Sequence, residues 1–121
     1  MGKEKPLNKF EVDTLVEILG LPLLSGLTGI GGVKLVHGMF GKPPIPWAKV
    51  ETKRLRFLQK LVKQLKGSYN IQGIRQWFRR NRPQLENKRP GDFLYKINWY
   101  PEDPNIQKLL ELAKSVEGGA T

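Results

Sequence analysis

Apolar positions recur at helical spacing through most of this chain, and nowhere do they alternate with the two-residue rhythm of a convincing strand. Phe10, Val12, Leu15, Val16, Ile18 and Leu19 repeat at such intervals behind Asn8, with Glu11 three residues beyond the asparagine. That is the capping-box spacing in an Asx variant, so a helix is predicted over about 9–19, ending at Gly20. Residues 20–46 hold seven glycines and four prolines among apolar side chains. Short helices over about 22–28 and 32–40 are predicted there, with Ile30-Gly31-Gly32 as the turn, although each internal glycine costs a helix about 1 kcal/mol relative to alanine. Lys42-Pro43-Pro44-Ile45-Pro46 is incompatible with a helix and reads as an extended connector.

Glu51 to Lys66 carries the clearest pattern. Leu55, Leu58, Leu61, Val62 and Leu65 form one stripe, and Lys53, Arg54, Arg56, Lys60, Lys63 and Lys66 cover the other sides. Gly67 suits the position after that helix. Ser68 or Asn70 then caps a helix whose Ile71, Ile74, Trp77 and Phe78 face inward, ending near Asn81-Arg82-Pro83. Pro90 opens a short helix burying Phe93, Leu94 and Ile97. Beyond Pro101 and Pro104, Asn105 caps a last helix burying Ile106, Leu109, Leu110, Ala113 and Val116. Gly118 to Thr121 read as a flexible tail. The expected fold is all-α, a small helical bundle, with an N-terminal segment over 1–48 and a compact helical domain over 49–121.

Charge changes this picture. The 121 residues carry a net charge of +10, and all of that excess sits between 51 and 96, where thirteen basic residues face three acidic ones. A field of that sign concentrates polyanions. Arginines spaced along two helices match phosphate contacts, so Lys53, Arg54, Arg56, Arg75, Arg79, Arg80 and Arg82 are candidate ligands of DNA or RNA. Six of them neutralising phosphates imply a log–log salt slope of roughly −5 on duplex DNA. Trp47, Trp77 and Trp99 are candidate base-stacking residues, although the place of Trp77 on its stripe favours core packing.

Catalysis has little to draw on. There is no cysteine and one histidine, His37, set in an apolar, glycine-rich stretch. No carboxylates cluster at metal-ligand spacing, and no base motif surrounds the serines. The glycine run from Gly26 to Lys34 lacks the Gly-Lys-Ser/Thr ending of a phosphate loop and the third glycine of a dinucleotide fingerprint. A binding protein with no cofactor and no metal is therefore expected. No apolar run approaches a membrane span, and the first residues lack a secretory stretch. Pro6 stands where a myristoylation motif wants Ser or Thr. The reading is cytoplasmic.

From Glu51 onward the order of features resembles the toxin-binding C-terminal domain of Xre/MbcA/ParS-type antitoxins, the partners of RES-domain toxins. The matching residues are Arg54-Leu55, Trp77, Asn81, Leu85, Pro90, Phe93-Leu94 and Leu109 to Gly118, over about 65 residues. The resemblance implies an antitoxin that covers a RES-type, NAD-consuming toxin. Lys88, Arg89, Glu117, Gly118 and Gly119 would touch the partner, the tail reaching towards the NAD cleft. It also implies a homo-oligomer or a hetero-oligomer with the toxin. Such antitoxins carry a helix-turn-helix in front of this domain, and the helices over 22–28 and 32–40 occupy that slot. The second of these offers only Lys34, His37 and Lys42 to DNA, so a degenerate or repurposed unit is expected. The other reading is a basic nucleic-acid-binding accessory subunit of a larger nucleoprotein complex.

Overall fold

The computed structural model describes residues 5–40, 46–95 and 98–115. Among them are seven α-helices and one short 3-10 turn, with no strand beyond a single isolated bridge. The all-α expectation is met. Of the sequence expectations, Lys42 and most of the proline connector, Ile97, Val116 and the tail with Glu117, Gly118 and Gly119 lie outside the described residues.

Helix α1 spans Lys9–Leu19. Asn8 Oδ1 accepts from the Glu11 amide at 2.9 Å and Glu11 Oε1 accepts from the Asn8 amide at 3.0 Å, so the capping box forms on both sides. Val12, Leu15, Ile18 and Leu19 face inward, whereas Phe10 is 70% exposed, off the buried stripe. Helix α2, Leu21–Thr28, holds Pro22 in its first turn and stops at Gly29, whose φ of +78° is the left-handed conformation glycine adopts without a Cβ clash. Helix α3 follows at Gly32–Phe40. Its internal Gly38 is required by packing: a Cβ there would lie 2.6 Å from Trp47 Cζ2 and 3.4 Å from Val12 Cγ1.

Helix α4, Lys49–Leu65, starts slightly earlier than its apolar stripe suggests, because Glu51 reaches back to the Ala48 amide at 2.8 Å. Helix α5 is Ile71–Trp77, capped by Asn70 and not Ser68, through Asn70 Oδ1 and the Gly73 amide at 2.9 Å. It ends several residues before the expected Asn81-Arg82-Pro83. Proline disfavours helical geometry at the preceding residue, and Arg82 is accordingly extended, with φ −126° and ψ 127°. Arg82 then pairs with Lys88 in an antiparallel bridge around the 3-10 turn Pro83–Leu85. Helix α6, Pro90–Leu94, and helix α7, Pro104–Ser115, complete the order. The first turn of α7 is served by Asp103, whose Oδ1 accepts from the Asn105 amide at 2.9 Å, so Asn105 is not the cap. Leu112 is buried in α7, whereas Leu110 is only partly covered.

One apolar cluster runs from Leu7 to Ala113 and draws on all seven helices. Helix α1 packs on α2, α3 and α5, while α4 packs on α7; α2 also meets α4 and α6. Two aromatic pairs anchor the second half edge to face: Trp77 with Phe78 at 5.1 Å and Phe57 with Trp99 at 5.7 Å between centroids. Trp77 and Trp99 are 1% and 3% exposed. Trp77 is a core residue, as its stripe favours, and the burial of Trp99 corrects its candidacy as a base-stacking residue.

Candidate functional site

Two features offer themselves to a partner: the α2–α3 pair and the basic surface of the second half. Helices α2 and α3 turn through 114° at the link Gly29-Ile30-Gly31. A crossing of that size over a three-residue turn containing glycine lies within the range of about 90–120° for helix pairs joined by short turns, helix-turn-helix units among them. The turn is held from within. Ser25 Oγ donates to Ile30 O at 2.6 Å, and Thr28 Oγ1 accepts from the Ile30 amide at 3.2 Å.

The outward face of α3 does not suit base reading. Val33 is 72% exposed and Phe40 65%, with His37 also exposed on this helix. Lys34 leans away into an ion pair with Glu51 at 2.7 Å and lies 5.6 Å over the Trp47 ring. Base edges are distinguished by donors and acceptors, which Val33 and Phe40 lack. His37 alone keeps an exposed polar group.

The cations expected to hold phosphate divide sharply. Arg54 is buried: Nε and Nη2 donate to Trp99 O at 3.0 and 2.8 Å, and Nη1 donates to Thr28 O at 3.0 Å. Its guanidinium also lies 5.2 Å over the Trp99 ring. Arg56 donates to Lys5 O and Pro6 O, pairs with Glu11 at 2.7 Å and bonds Gln59, pinning the chain ahead of α1 onto α4. Arg75 donates to Ile18 O at 2.8 Å and Glu17 O at 3.0 Å, at the carboxyl end of α1. These three arginines hold the fold, and Arg54, being buried, is not placed to meet a phosphate. Lys53 pairs with Glu102 at 2.8 Å.

Arg82 is half-buried, 5.6 Å over Trp77, with its Nε and the Trp77 Nε1 both buried and unbonded. Arg79, Arg80 and Lys88 are exposed, with no carboxylate at ion-pair distance among the described residues, although Lys88 acts on Asp92 from farther away. Arg89 is exposed and held by Asp92 at 2.9 Å. Bonds from Arg89 keep the Asp92 carboxyl below the usual carboxylate range. Of the seven candidate phosphate ligands between Lys53 and Arg82, then, only Arg79 and Arg80 are exposed with no ion pair among the described residues.

A second group went unrecognised in the sequence. Lys60, Lys63 and Lys66 are exposed along one side of α4 and border a groove of about 420 Å³ against α1. Their three-residue spacing was visible, but nothing in the sequence says that α1 lies alongside. Among the described residues no three His, Cys, Asp or Glu side chains gather as a metal site, and no single helix is long and apolar enough to cross a membrane. Comparison with family models, curated proteins and solved structures finds no match to this chain.

Proposed function

We propose that the protein is the antitoxin of a type II toxin–antitoxin pair, binding and blocking a RES-type NAD-consuming toxin through its second half. One observation carries this reading. The residues that resemble the antitoxin domain are scattered over the chain from Arg54 onward, yet they converge as the interior of one unit. Leu55, Trp77, Leu85, Pro90, Leu94 and Leu109 are all buried. Asn81 donates its side-chain amide to Asn87 O across the loop those residues close. The burial of those apolar side chains fits a domain core of the kind the resemblance implies, with Phe93 partly covered and Asn81 exposed. The α2–α3 pair sits where such antitoxins carry a helix-turn-helix, and its apolar outer face suits protein contact better than operator reading.

Growth rescue tests this. Co-expression with a RES toxin encoded beside it should restore growth, and the two chains should co-purify. Truncation after Val116 should weaken rescue while leaving the melting temperature unchanged. Absence of rescue and of a complex would overturn the reading.

The exposed Arg79, Arg80 and Lys88 favour a second reading, sequence-tolerant binding of nucleic acid. Three phosphate contacts give a log–log salt slope of roughly −3 on duplex DNA, in place of the −5 expected from six. No binding at low salt would exclude it.

A further inference from the structure

The groove between α1 and α4 has an apolar floor, a basic wall and an apolar extension. Leu15 and Ile18 from α1 and Val62 from α4 form the floor, where they are almost fully buried. Lys60, Lys63 and Lys66 line the groove as exposed residues and form the wall, and a lysine so placed can cover apolar surface with its stem while keeping its ammonium in water. None has a carboxylate partner among the described residues. On the opposite side Glu11 is already neutralised by Arg56 at 2.7 Å, and Glu17 at the far end is the one acid of the lining with no ion pair among the described residues. The groove continues past Thr14, Ile18 and Lys66 into a second depression of about 420 Å³ that ends on Tyr69 and Ile71. Ile71 is 41% exposed and gives the floor an accessible apolar anchor.

We propose that this groove seats an acidic amphipathic helix from a partner protein. From Lys60 to Lys66 the wall runs about 9 Å along α4. That is close to two turns of a second helix, so carboxylates at successive turns would each meet an ammonium while the apolar face lies on Ile18, Tyr69 and Ile71. A duplex presents phosphate and sugar but no aliphatic face, and so would leave Ile71 without a contact. The inference does not rest on the toxin reading, because none of the groove residues is among those that carry the antitoxin resemblance.

The test uses the full chain and a fluorescein-labelled 16-residue peptide with leucines on one helical face and glutamates beside them. A scrambled peptide of the same composition and a 20-base-pair duplex are the comparison probes. The amphipathic peptide should bind at least ten times more tightly than its scramble. It should shift the amide resonances of Thr14, Lys63, Lys66 and Ile71. Lys60→Glu with Lys63→Glu should weaken it more than tenfold, and Ile71→Ser about fivefold. Thr14 is exposed, so Thr14→Tyr should block the groove without changing the helical circular dichroism; Lys108→Glu on α7 should leave binding unchanged. Equal binding of the scramble would show attraction by charge alone and overturn the proposal. So would failure of the peptide to bind, or duplex binding lost on the same lysine variants while peptide binding persists.

Discussion

Arg54→Ala should cost the fold about 3–5 kcal/mol. The side chain leaves α4, crosses the interior and, among the described residues, donates two hydrogen bonds to Trp99 O and one to Thr28 O. Each hydrogen bond from a charged donor contributes about 1.5–3 kcal/mol net, which gives an upper sum near 5–9 kcal/mol if the three are additive. Removing the side chain also removes the cost of burying a guanidinium, and the balance falls near the 3–5 kcal/mol typical of breaking a buried charged contact. In a chain of 121 residues this is a fall in melting temperature of roughly 10–20 °C. Arg54→Met keeps much of the aliphatic stem but leaves both carbonyls unpaired, and should lie close to alanine. Arg54→Lys keeps the charge but lacks the planar fork, and should fall between. Thermal melts followed by circular dichroism at 222 nm measure all three. An alanine variant melting within about 2 °C of the parent, with altered nucleic-acid affinity, would refute a buried Arg54 and restore it as a surface ligand.

Gly91→Ala should destabilise by about 1–3 kcal/mol in urea titration, since its Cβ would stand 2.8 Å from Phe78 O, a backbone atom that also accepts the Gly91 amide. An unchanged midpoint would mean that this crossing is looser. Glu86 holds φ +58° and ψ +40°, so Glu86→Gly should raise stability by about 1 kcal/mol by relieving left-handed strain; a lower midpoint would contradict that. The hydrogen bond from Arg56 holds the Glu11 carboxyl below the usual carboxylate range. Because its folded pKa lies under the unfolded one, its stabilisation is complete above that range and drains away as pH falls through and below it. Arg56→Gln should flatten this acid limb of the urea midpoint against pH, and an unaltered limb would assign it to other carboxylates.

The helices were legible wherever a local signal coincided with the apolar stripe. Asn8 with Glu11 marked the start of α1, Gly20 its end, and Pro90 the start of α6. The extent of α5 was not legible, because its end depends on a pairing of Arg82 with Lys88 that no local window contains. The cap of α7 was misassigned because Asp103 and Asn105 both have capping side chains, and only the backbone path shows which oxygen meets which amide. Phe10 sits at helical spacing with its neighbours, yet tertiary packing leaves it in solvent.

The cations were the least legible part, and the reason is physical. Helices α1 and α2 each end at a glycine with no basic residue in the last turn, so neither supplies a local cation to its exposed carbonyls. Arg75 meets that need for α1 from 57 residues away, and Arg54 for α2 from 26. In sequence these arginines look the same as Arg79 and Arg80, which have no ion pair among the described residues, because periodicity records charge but not its acceptor. The distinction matters for any polyanion. All the charges contribute to the field that draws one in, since that field reaches about 10 Å at moderate salt. Only exposed cations can touch a phosphate and release its counterion. Net charge therefore governs the rate of encounter, while the salt slope counts contacts. Titration of a duplex at several salt concentrations separates the two: a slope near −3 assigns contact to Arg79, Arg80 and Lys88, and Arg79→Gln with Arg80→Gln should then bring it to roughly −1. A slope near −5 that survives the double substitution would place the contacts elsewhere, with Lys60, Lys63 and Lys66 the next exposed cations to remove.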